Sequence, residues 1–367
     1  MRAEQDVAQK PGEPAPAPPA PQRRRALRYA ALVPECEVGD EVLLNTTAVD
    51  LELGTGGVCF VVANLTALNR STANATAAFD DGAGGLEAGH IMKLRYTPFQ
   101  HEVLSIEEPA SPHHEALAQA DSLRGVPVVC CELHSQVPLV ATAVKQTRPE
   151  ARVVYCMTDE AALLAPLSDL LAQTRQVGLI DACVTCGQAL GGDAEAVNLY
   201  SGLLAARVVY KADVIICAQG PGIVGTATRF GHGGLAQAQA LNAAAALDGV
   251  PIAPLRLSFA DERTRHQGVS HHTLTTLGRA CLTQAIIPLP SDLPAEQLAQ
   301  VERQLEEAGI LERHGLVHVP IEQKTTDLRG VHVTTMGRTR DGDPAFFSAA
   351  FAAGLFAARM LVERSDA

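Results

Sequence analysis

The chain has 367 residues, 47% hydrophobic and 19% charged; at roughly 150 residues per domain that is about two folded domains, which excludes a single small repeat and a disordered polymer. Aromatic residues are only 4% and Trp is absent, so Ala, Val and Leu must fill the core. The net charge is −12, and the first 25 residues carry five basic and three acidic groups, leaving −14 for the body; such a body repels phosphate backbones and excludes nucleic acid as a general partner.

Residues 1–25 hold six of the 22 prolines and are expected to form a disordered Pro/Ala-rich tail. The apolar stretch after Arg23-Arg24-Arg25 contains Arg28 and stops at Pro34, too short for a signal-peptide core. Residues 26–110 carry short β-type runs at 41–45, 58–62 and 90–96, separated by Gly54, Gly56, Gly57 and the glycine-rich stretch from Gly82 to Gly85. This pattern predicts a small antiparallel sheet or barrel. Residues 111–125, with Pro112 and His113-His114, read as a linker.

From Val126 onward strand and helix patterns alternate, the signature of an α/β domain (126–367) with a doubly wound, mainly parallel sheet. Strands are predicted at 126–133, 152–158, 179–186, 213–219, 250–259 and 285–289, with β-like pieces at 317–319 and 331–335. Helices are predicted at 136–146, 161–174, 194–210, 235–247, 273–282 and 295–308. The apolar stretch 346–361 contains Arg359 and falls short of a membrane span, so a packed terminal helix starting at Asp343-Pro344 is expected and no membrane partner is assigned. Nine cysteines, several inside apolar runs, fit a reducing cytoplasm better than a disulfide framework.

In such sheets the ligand crevice lies outside the carboxyl ends of the strands, so the polar residues that end each run are the site candidates. Glu132, His134, Asp159, Cys186, His271 and His272 are the catalytic candidates, the histidines for acid–base work oriented by Glu132 or Asp159, and Cys186 as a reserve nucleophile. His232 and His266 map to the same edge. Adjacent helical positions diverge by about 100 degrees, so His271 and His272 are not expected to face one point. Cys183 and Cys186, three apart in a strand, are expected on opposite faces. No H-E-x-x-H or paired-aspartate signature is present, so no metal ligands are assigned and no cofactor is named.

Gly220-Pro-Gly-Ile-Val-Gly225 follows a strand and reads as an anion cradle of Gly220, Gly222 and Gly225, with Thr226, Thr228, Arg229 and Ser258 as further ligand contacts. The dinucleotide version lacks the acidic residue expected roughly 20 positions on.

Five segments together, 39–47, 90–96, 132–136, 220–226 and 268–273, resemble a bacterial family of about this length known only as a domain of unknown function. The resemblance runs from about Val38 to the C-terminus; it implies a full-length shared fold and carries no activity, cofactor or site residue. The leading expectation is therefore a cytoplasmic enzyme acting on a small anionic metabolite, phosphorylated or carboxylated, in that cradle. A non-catalytic ligand sensor or assembly subunit and a dinucleotide-binding oxidoreductase are the alternatives; the reaction class and oligomeric state, homo-oligomer included, stay open.

Overall fold

A computed structural model describes residues 23–30, 32–52, 57–70, 89–321 and 327–365. The proline-rich tail up to residue 22, Gly54, Gly56 and the stretch from Gly82 to Gly85 lie outside the described residues. Two compact units divide the chain, Met1–Gly85 and Leu86–Ala367.

In the first unit β1 (Arg25–Leu27), β2 (Val42–Asn45) and β3 (Val58–Asn64) form a three-stranded sheet in the order β1-β3-β2, with short helices α1 (Thr47–Asp50) and α2 (Leu65–Arg70). The sheet is mixed, because β1 runs parallel to β3 and β2 antiparallel to it. No closed barrel forms among the described residues, in contrast to the barrel expectation. Phe60 stacks on Tyr29 with ring centroids 5.8 Å apart, and Cys59 is buried.

The second unit begins earlier than the expected boundary near residue 110. It opens with the hairpin β4 (Ile91–Lys93) and β5 (His101–Val103), which the sequence pattern grouped with the N-terminal sheet. The supposed linker is packed: it holds α3 (His114–Ala118), and Leu117 and Leu123 are buried in the larger core. Then follow β6 (Pro127–Cys130), α4 (Val137–Thr147), β7 (Val153–Thr158), α5 (Asp169–Gln176), β8 (Ala182–Cys186), β9 (Ala194–Ala196), α6 (Leu199–Val208), β10 (Val214–Gln219), α7 (Ala236–Ala246) and β11 (Val250–Ile252). The chain continues through β12 (Leu257–Ser258), β13 (Gly268–Val269), α8 (His271–Thr275), β14 (Ile286–Pro290), α9 (Ala295–Glu307), β15 (Gly315–Val319) and α10 (Pro344–Ser365).

Eight of these strands form one sheet in the order β15-β14-β11-β6-β10-β7-β8-β9, parallel throughout. Its central strands are apolar on both faces, as a sheet covered on two sides requires. Along β6 and just beyond it the side chains alternate: Val128 and Cys130 enter the core under α6, α7 and α9, while Val129 and Cys131 enter the core under α4, α5 and α10. Cys183 and Cys186 likewise fall in opposite cores, as their spacing in a strand dictates. Helix α10 is apolar and long enough to cross a membrane, but 67% of that stretch is buried, and it packs along α4 as a core helix.

Several boundaries differ from expectation for local reasons. Residues 250–259 break into β11 and β12 around Pro254, which has no N–H to donate to a ladder. Residues 194–196 form the edge strand β9 before Asn198 caps α6. The 161–174 helix shortens to α5, whose N-cap is Ser168. Residues 331–335 form no strand.

Candidate functional site

Strands β6 and β10 are neighbours, yet β6 leads into α4 on one face of the sheet and β10 into α7 on the other. Where consecutive connections part to opposite faces, the loops leave a crevice at the carboxyl edge. Here the crevice has a volume of about 520 Å³ and is bordered by His134 and Ser168, the Gly222 loop, Arg256, Arg263, Arg265, His266 and His272.

Behind its wall lies a buried carboxylate. Glu132, 1% exposed just past β6, accepts from Thr273 Oγ1 (2.6 Å) at Oε2 and from Arg256 Nη1 (3.1 Å) at Oε1, and Oε1 also lies 3.2 Å from His272 Nδ1. Arg256 Nη1 also lies 3.2 Å from His272 Nδ1; with Nδ1 assigned a hydrogen directed at the carboxylate, Nε2 carries the lone pair. Burial alone raises the Glu132 pKa, but the His272 hydrogen bond and the Arg256 charge outweigh it and pull it down to about 2. The loop that carries Glu132 is fixed by Gln136, whose Oε1 accepts from Glu132 N and Leu133 N at 3.0 Å each, and by Gln219, whose Nε2 donates to Glu132 O (3.0 Å).

Four imidazoles gather around this point. His232 stacks on His272 with centroids 4.0 Å apart and planes within 2°, and His271 and His266 stand 4.4 and 5.1 Å from His272. The expectation that His271 and His272 diverge is wrong: one ring nitrogen from each of His266, His271 and His272 lies within 4.8 Å of the others. The reason is position. Helical side chains lean toward the N-terminus, and in the first turn of α8 no preceding turn fills that space, so both rings fold over the helix end. Burial lowers the pKa of His266 to about 3, helped by Arg256, and that of His271 to about 4, helped by His272. Both rings are neutral near pH 7.

His134 borders the same crevice in a separate chain of hydrogen bonds. Tyr155 Oη donates to the carbonyls of Ala218 and Gln219, so it accepts from His134 Nδ1 (3.1 Å); His134 Nε2 then accepts from Ser168 Oγ (2.7 Å), which itself accepts from Leu171 N. Burial lowers the His134 pKa to about 4.

The remaining candidates separate. Gly222, at φ +93°, borders the crevice, and no hydrogen bond among the described residues uses the backbone N–H groups of Gly222, Ile223 or Val224. Gly225 lets the His272 ring approach, since a Cβ there would stand 3.2 Å from His272 Nε2, whereas a Cβ on Gly220 would meet Ala162 O at 2.2 Å. Thr226 and Thr228 bond each other (2.9 Å), close their own turn onto Gly231 and do not border the crevice. Arg229 borders a different cleft, beside Arg279 and Glu307, and Ser258 is tied to Asp343 (2.7 Å). The loop opens no helix, since α7 starts only at Ala236, and the helix N-terminus of a dinucleotide site is missing here. Asp159, which accepts from Gln188 N (2.7 Å), and Cys186, buried beneath α6, belong to a second cleft.

Sequence reasoning missed Arg256, Arg265, Ser168 and Tyr155. Arg256 had a signal: a cation inside an apolar run must find a buried partner.

A family model described as a protein of unknown function, DUF3866, matches residues 25–354. No curated protein and no solved structure is significantly similar to the chain.

Proposed function

The chain belongs to the DUF3866 family, proteins of unknown function, and we propose from its own residues that it is an enzyme acting on a small anionic metabolite held in the crevice between the ends of β6 and β10. The observation that carries this reading is the set of donors in the crevice that no protein group uses. Arg256, Arg263 and Arg265 border it, together with the carboxylate of Asp169. Arg256 and Arg263 are already paired, with Glu132 and Asp261, while Arg265 makes no ion pair among the described residues. Arg265 and the backbone N–H groups of the Gly222 loop are the donors offered to a phosphate or carboxylate. The volume suits a ligand of metabolite size.

Proton transfer falls to the Ser168–His134 pair, the acid–base group that faces the crevice outside the Glu132 cluster. Neutral His134 accepts the Ser168 hydroxyl hydrogen, and Tyr155 orients the ring through Nδ1. All nine cysteines are free thiols, which supports placement in a reducing cytoplasm.

The test is isothermal titration with inorganic phosphate and with pyrophosphate. The wild-type chain is expected to bind, and Arg265→Ala to weaken binding about tenfold or more, the worth of one charged hydrogen bond. An unchanged Kd in Arg265→Ala would remove the basis of the reading.

A further inference from the structure

We propose that His266, His271 and His272 form a binding site for a divalent transition-metal ion such as zinc, with a coordination position left facing the crevice. Three observations meet at this point.

The first is geometry. One ring nitrogen of each histidine lies within 4.8 Å of one on each of the others. An ion at the centre of a triangle whose sides are at most 4.8 Å stands up to about 2.8 Å from each corner, against ~2.0–2.1 Å for zinc to imidazole nitrogen. The rings therefore need to close by up to roughly 0.7 Å, within the reach of χ rotations.

The second is support from behind. A metal-bound histidine ordinarily presents its other ring nitrogen to a carboxylate, carbonyl or hydroxyl that fixes its orientation. His272 Nδ1 meets Glu132 Oε1 at 3.2 Å, and His266 Nδ1 meets Ser270 Oγ at 2.8 Å. In both rings this leaves Nε2 as the ligand atom. Ser270 also caps α8 by accepting from His272 N, so the residue that starts the helix also orients one ring.

The third is unmet capacity. His271 Nε2 is buried and has no hydrogen-bond partner among the described residues. A buried polar atom left unpaired ordinarily costs about 1–3 kcal/mol, and coordination removes that penalty. His232, stacked on His272, covers the cluster from one side and keeps that ring in place.

Imidazole ligands suit zinc, copper, iron and nickel rather than magnesium or calcium. Three protein ligands with a fourth position open are the arrangement of catalytic rather than structural zinc sites. His266 and His272 border the crevice and His271 borders the cleft of Arg229; with two of its three ligands on the crevice side, the ion has its fourth position there, open to a water or an anionic oxygen. The site stands without the anion reading, because the ion is bound by side chains alone.

Cobalt(II) is the probe, titrated into metal-stripped full-length protein in buffer without phosphate, and followed by its visible absorption and by metal content after gel filtration. One ion per chain is expected, with His271→Gln, a change at a half-buried position, weakening uptake at least tenfold. Glu132→Gln is expected to weaken it 10- to 100-fold, as loss of an orienting partner does. Should the variants fold poorly, X-ray absorption of the zinc- or cobalt-loaded wild type decides alone: three imidazole ligands are expected. Uptake no greater than in His266→Ala/His271→Ala, or a loaded ion with fewer than three imidazoles, overturns the proposal. Phosphate binding by metal-free protein is a separate readout, so either result can fail while the other holds.

Discussion

Two groups of buried charge in the larger unit differ in how completely they are answered. Lys93, on β4, is 0% exposed, and its three ammonium donors meet three acceptors: Glu195 Oε2 at 2.5 Å, Thr185 O at 3.1 Å and Ala189 O. Glu195 in turn accepts from Thr185 Oγ1 (2.7 Å) and, at Oε1, from Gly191 N (2.8 Å). Nothing is left over, and the network ties the β4–β5 hairpin to the β8–β9 edge of the sheet. The Glu132 group is as deeply buried, and its carboxylate is as well satisfied, but the imidazoles around it keep nitrogens that no protein group meets, and two of the rings border a crevice. Equal burial thus accompanies opposite roles: a charge answered on all sides fastens two elements, and a charge surrounded by unanswered donors and acceptors prepares a place for something else.

The largest effect separating the two is expected at the closed network. Lys93→Met leaves Glu195 buried without its cation and is expected to cost about 3–5 kcal/mol, measured by urea unfolding. The double variant Lys93→Met/Glu195→Leu is expected to recover most of that loss. A single variant that costs under 1 kcal/mol would mean that the pair does not fasten the hairpin.

Next in size is acid sensitivity at the crevice wall. The His134 pKa lies near 4 in the folded chain against 6.5 for the free side chain, so the unfolded chain binds the extra proton in that window. Stability from this group is complete above about pH 6.5 and is lost as pH falls toward 4, a difference on the order of 3 kcal/mol. The unfolding free energy of His134→Gln is expected to fall less steeply over pH 6.5 to 4 than that of the wild type. Equal slopes would place the titration elsewhere.

The smallest stability effect is expected at Ser168. Its hydroxyl caps α5 and bonds His134, so Ser168→Ala is expected to cost about 1–2 kcal/mol while abolishing turnover once a substrate is known. A variant that keeps full activity would return Ser168 to a purely structural cap.

The sheet was legible because its central strands are continuous apolar runs; Val153–Thr158 and Val214–Gln219 fall within a residue of the expected bounds. Strand order was not, since nothing in the sequence says that β10 inserts between β6 and β7, and that insertion creates the crevice. The candidate site was half legible. Strand ends pointed to Glu132, His134 and His272, but not to which of them touch. Arg229 and Arg265 look alike in the sequence, each a cation in a polar loop, and only the path of the loop beyond Gly225 turns one away and the other inward. The histidine pair was not legible, because helical periodicity does not hold where a helix has only begun.

The central claim, that the crevice between β6 and β10 holds a small anion, is tested most directly by anomalous diffraction from crystals soaked in tungstate, a heavy phosphate mimic. The expected result is one strong peak within hydrogen-bonding distance of Arg265 and the Gly222 loop, lost in Arg265→Ala crystals. A peak confined to other surfaces, or one in the crevice that persists without Arg265, would contradict the account.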